Sequence, residues 1–128
     1  MTMNRMFGYV FGAVYLVVGA VGFLVTKGVG FAATHGKNLI IFAVNPLHNI
    51  VHLLVGVGLI AGAAAGALAS RRINLLVGIV YIAIGALGLF IQNNSLNIFA
   101  FNTADHALHF ATGILAVTVA SLRGERTA

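Results

Sequence analysis

The chain has no cysteine. Disulfides, thiolate metal ligands and a cysteine nucleophile are thereby excluded. Acidic residues are almost as scarce. Asp105 and Glu125 stand against seven lysines and arginines, and charged residues make up 7% of 128 positions. No glutamate lies in an apolar segment and no serine sits near the internal histidines. No basic stretch with interleaved aromatics occurs in a loop, so nucleic acid is excluded as a partner.

What the chain does have is apolar surface. It is 60% hydrophobic, with a mean hydropathy of +1.04. A soluble domain of this size does not need that much, so the class is integral membrane, with lipid as the first partner. A helical span takes ~20 mostly apolar residues. Four stretches qualify: about 7–26, 46–69, 74–91 and 104–122. The first resembles a secretory signal, with Arg5 ahead of it. Its apolar run is too long for one, and the third stretch repeats its pattern.

In a four-span arrangement Arg5, Arg71, Arg72, Arg123 and Arg126 share one side, and Lys27 and Lys37 the other. The positive-inside rule then places both termini in the cytoplasm. The expected fold is all-α: a single membrane domain over 1–128, an up-down four-helix bundle of two parallel-repeat hairpins.

The repeat is written in the residues. Repeat 1 covers about 7–69 and repeat 2 about 73–122. Phe42, Asn45, His48, His52 and Gly56 align with Phe99, Asn102, Asp105, His109 and Gly113. Upstream, Gly12, Tyr15, Gly19 and Gly22 align with Gly78, Tyr81, Gly85 and Gly88. The sets Gly8-Gly12-Tyr15-Gly19-Gly22 and Asn74-Gly78-Tyr81-Gly85-Gly88 each form one helix face, which in lipid marks a helix–helix contact or a groove for a flat cofactor or lipid tail. Helical side chains lean toward the N-terminus, so Tyr15 and Tyr81 are expected to lean inward, away from the outer histidines. Both outer loops end on Ile-Phe-Ala-x-Asn, an apolar run that packs back on the helix as a staple and lid. The inner link is expected at about 69–73.

Asn45 and Asn102 are N-caps, and Pro46 suits the first helical position. His48 and His52, like Asp105 and His109, then fall four apart on one face, about 6 Å apart along the axis. If the second and fourth helices face each other, three imidazoles and a carboxylate converge in the outer half. That set suits zinc, or another divalent transition metal with an added water. His106 and Asn49, aligned with each other, are candidates to hydrogen-bond and orient the ligands, and His106 is also a candidate fifth ligand. His35 is read as solvent-exposed. Two other readings use the same residues. Asp105 closes a capping box and the histidines form a structural polar cluster. Alternatively, His52 and His109 ligate haem b, with Gly56 and Gly113 beside the ring.

The motifs Asn45-Pro46-Leu47-His48-Asn49-x-x-His52, Asn102-Thr103-Ala104-Asp105-His106-x-Leu108-His109 and Arg72-x-Asn74-Leu75-x-x-Gly78-x-x-Tyr81 resemble a family of small four-span bacterial membrane proteins. That family is common in actinobacteria and is classed as a domain of unknown function. The resemblance spans nearly the whole chain. It implies the topology, a bacterial inner membrane as the location and the importance of these residues, not a reaction. It also implies a lesser role for His106, where the family often has Asn.

The expected function is therefore a membrane protein with a metal-binding His/Asp cluster near the outer face. The alternatives are a homo-oligomer or accessory subunit of a membrane complex with a structural cluster, and a haem-binding bundle. A metal-dependent lipid hydrolase is disfavoured, because Asp105 cannot be both ligand and base. A transporter lacks a discontinuous helix.

Overall fold

The computed structural model describes residues 1–122. Arg123 and Arg126, used above for orientation, lie outside the described residues. The elements are α1 (Met3–Val25), β1 (Lys37–Leu39), β2 (Phe42–Val44), α2 (Pro46–Ala65), α3 (Ala67–Ile91) and α4 (Thr103–Ser121). By length and composition α1, α2 and α3 can each cross a membrane. In α4 the first two turns carry Asp105, His106 and His109, which lower its apolarity.

The glycine faces decide which helices pair. α1 packs on α2, and α3 on α4. A Cβ at Gly12 would sit 2.9 Å from the Gly56 carbonyl oxygen, and one at Gly78 would sit 2.9 Å from that of Gly113. Backbones this close exclude any side chain at the crossing, the condition under which dispersion and weak polar contacts hold helices together without hydrophobic drive. One turn from the outer ends, Gly22 makes room for the Asn49 side chain and Gly88 for the His106 ring.

The end of the bundle that carries Arg5 and Arg71 is tied by polar groups. Arg5 Nε donates to the Ala63 carbonyl at 2.8 Å, and Arg71 Nε to that of Ala120 at 2.7 Å. These carbonyls lie in the last turns of α2 and α4, where intrahelical donors run out. Between them Asn4, Ser70 and Asn74 are fully buried. Ser70 Oγ and Asn74 Nδ2 both donate to the Asn4 carbonyl, and Asn4 Nδ2 donates to Val119.

Two expectations change here. The inner link is not a loop at 69–73. The chain breaks at Gly66, whose φ of +125° favours glycine, and α3 starts at Ala67. Ser70, Arg71 and Arg72 are polar, so hydropathy alone starts the third span only at 74. Their backbone is nevertheless helical, because Ser70 and Arg71 reach across to other helices. The first outer run is also not a simple staple. It forms an antiparallel hairpin, Lys37 opposite Val44, with Ile40 at its tip in the left-handed region at φ 62°. For a β-branched residue that conformation is strained.

Candidate functional site

Asn45 Oδ1 accepts from the His48 N–H at 2.8 Å and Asn102 Oδ1 from the Asp105 N–H at 3.0 Å. Both caps also reach across the molecule. Asn45 Nδ2 donates to the Ile98 carbonyl at 2.7 Å, and Asn102 Nδ2 to the Ile41 carbonyl at 2.9 Å. Each cap thus holds the other loop. Buried Asn97 ties the second loop to itself by bonding both the N–H and the carbonyl of Phe101. These bonds tie the first turn of α2 to the second outer loop and the first turn of α4 to the first.

His48, His52 and His109 come together, all buried. Ring centroids of His48 and His52 are 4.4 Å apart, and those of His48 and His109 are 6.2 Å apart. Phe101 closes the outer side, edge-on to His48 at 5.0 Å and to His109 at 5.1 Å. His48 Nδ1 lies 3.2 Å from the Ala43 carbonyl, which can only accept, so Nδ1 carries the proton. Its Nε2 is then a lone pair, and it is buried without a partner, as are His52 Nδ1 and His109 Nδ1.

Asp105 lines the same cleft as these three histidines, with one carboxylate oxygen bonded to the backbone. Its Oδ2 accepts from the Asn102 N–H at 2.8 Å, completing the capping box, and from the Ala43 N–H at 3.3 Å. The carboxylate that sequence puts among the ligands thus holds β2 and the helix start. His106 and Asn49 turn the other way, into the Gly88 and Gly22 notches, and Asn49 Nδ2 donates to Thr26. Both His106 ring nitrogens are buried without a partner. His35 stands in the first outer loop. Among the described residues no three His, Asp or Glu side chains are already arranged to hold a metal ion.

The tyrosines overturn an expectation. Tyr15 packs on His52 at 5.4 Å and Tyr81 on His109 at 5.1 Å, and the two tyrosines meet edge to face at 5.6 Å. They floor the site. The lean of helical side chains is real, but the axial offset it produces is about one helical turn of ~5 Å, which two rings span when backbones meet at glycine. The glycine-tyrosine repeat was the signal that could have found them. Phe101 occupies the variable position of the Ile-Phe-Ala-x-Asn run, so repetition could not flag it.

Family comparison matches the profile of a domain of unknown function, DUF4383, to residues 5–122. The chain belongs to that family. No curated protein and no solved structure matches it. The matched segment holds every residue of the cluster, from Tyr15 to His109.

Proposed function

We propose that this DUF4383 protein is a four-span membrane protein whose outer half binds one divalent transition ion through His48, His52 and His109. The observation that carries the reading is the trio of buried, bare ring nitrogens. His48 is the clearest, because its Nδ1 proton is given to a backbone carbonyl and its Nε2 is buried without a hydrogen-bond partner. That second contact is the usual way a metal-ligating histidine is held. Leaving several such groups without partners in apolar surroundings is costly, so a ligand or ordered water satisfies them. Binding an ion requires the three rings to turn toward a common point. Asp105 acts as the cap that positions His48 and the loop rather than as the fourth ligand.

Topology supports the same reading. α4 at 19 residues is about 28 Å long, close to the hydrocarbon thickness. Arg5 and Arg71 sit at one end and Lys27 and Lys37 at the other. Both termini are then cytoplasmic and the cluster lies toward the outside of an inner membrane. The matched contacts Gly12–Gly56 with Gly78–Gly113, and Arg5–Ala63 with Arg71–Ala120, support two parallel hairpins about an axis along the membrane normal.

A second reading has its own support. The edge-to-face packing of Phe101, Tyr15 and Tyr81 around the imidazoles suits a structural ring cluster in a homo-oligomer or an accessory subunit. Haem at His52 and His109 is less well served, because Phe101 above and the tyrosines below leave little room for a macrocycle. Metal analysis and an absorption spectrum of natively purified protein separate the three. Zinc, iron or manganese near one per chain supports the ion site, and a Soret band supports haem. Neither, after incubation with each ion, leaves the structural cluster.

A further inference from the structure

We propose that the α1–α4 seam binds an anionic glycerophospholipid at the arginine end of the bundle, with an acyl chain in the groove and the headgroup phosphate on Arg71 and Arg72. The proposal rests on the four-span reading above and does not need the ion.

The two seams that close the bundle are unlike. α2 and α3 are joined through Gly66 alone, so they meet at one end in a tight turn. At the other end Phe101 lines the cleft between them, which holds only about 40 Å³. α1 and α4 are joined by no such turn. Beside the histidines the cleft between them holds about 250 Å³. At the arginine end the same seam opens again as a groove of about 210 Å³. Met6, Phe7, Val10 and Phe11 of α1 form one wall, and Leu115 and Val119 of α4 the other. Met6, Val10 and Leu115 leave its rim exposed and apolar. In the four-span arrangement acyl chains lie against this rim, and a groove between two helices takes one chain lengthwise.

Charge at the end of the groove selects the head. Val119 lines the groove, and Arg71 Nε donates to the carbonyl of the next residue, Ala120, at 2.7 Å. That bond holds the guanidinium at the end of α4 and uses one of its N–H groups. The others have no partner among the described residues. Arg72 is exposed and has no partner there either. Asp105 is the only carboxylate side chain among the described residues, and it stands at the opposite end of α4. A guanidinium fork with free N–H groups matches phosphate oxygens. A zwitterionic head would also bring an ammonium to an end where no described acid can take it. A net anionic head on an acyl chain suits the groove and the arginines together.

The test uses the full chain in phosphatidylcholine nanodiscs, doped with phosphatidylglycerol or phosphatidylcholine bearing a diazirine in one tail. Phosphatidylglycerol should label Val10 and Leu115 at least about fivefold more than phosphatidylcholine does, since each surface arginine favours an anionic lipid by about 1 kcal/mol. No such preference is expected at Leu54, an exposed position on α2 far from the arginines. Arg72→Gln keeps the Ala120 bond and should lower the preference by itself. Arg71→Gln with Arg72→Gln should remove it, while phosphatidylcholine labelling, which needs only the folded groove, persists. Equal labelling by the two lipids, a preference that survives the double substitution, or the same preference at Leu54 would overturn the proposal alone. Labelling of Val10 and Leu115 by neither lipid would overturn it together with the four-span reading.

Discussion

The two halves of the molecule agree at their crossings and part company at the outer end. Gly12 meets Gly56 as Gly78 meets Gly113, and Arg5 reaches Ala63 as Arg71 reaches Ala120. Near the site, aligned positions diverge. His48 faces Asp105, Asn49 faces His106, and Val44 faces Phe101 in the alignment. Agreement marks what builds the bundle. Divergence marks what makes the two sides of the cluster chemically unequal: a ring with a free lone pair on one, a committed carboxylate and a plugging phenyl on the other.

If the crossings are equivalent, breaking either should do equal and large damage. Gly12→Leu and Gly78→Leu each force a side chain into a facing backbone, and each should cost about 3 kcal/mol or more. Thermal unfolding in detergent or nanodiscs reads this, and a tolerated change at one crossing alone would break the equivalence. The next largest effect tests the divergence. Phe101→Val should cost about 1–3 kcal/mol and open the α2–α3 cleft, so that a tail-labelled lipid probe reaches Ile84. If Ile84 stays unlabelled, Phe101 is not what makes the clefts unequal. At the inner end Arg5→Ala and Arg71→Ala should each cost about 1.5 kcal/mol, because each removes a charged donor from a helix-end carbonyl. Unequal losses would show that the two ends differ after all. The smallest effect has the opposite sign. Ile40→Gly relieves a left-handed β-branched residue and should stabilise the hairpin by about 1 kcal/mol, visible as slower amide exchange at Lys37 and Leu39.

Much of this was legible in the residues. Asn45 and Asn102 announce helix starts, and the glycine spacing announces close faces. The i, i+4 histidines announce a buried polar group, because those signals are local and periodic. What was not legible is long-range. Arg71 reads as an orientation charge until α4 ends beside it, and the bond from the Ala43 N–H of β2 to Asp105 exists only once the hairpin folds over α4. Asn4 and Ser70 carry no sequence signal, since their partnership with Asn74 exists only once α1 and α3 meet. The β1–β2 hairpin was hidden by Ile40 and Ile41, residues that no turn rule favours.

The central claim is that three imidazoles, not the carboxylate, hold an ion. Zinc content after equilibrium dialysis of wild type, His48→Ala, His52→Ala, His109→Ala and Asp105→Asn tests it directly. The account predicts about one zinc per chain in wild type and in Asp105→Asn, and loss of the ion in each histidine variant that still folds. Zinc absent from wild type, or lost as fully from Asp105→Asn as from His52→Ala, would contradict it.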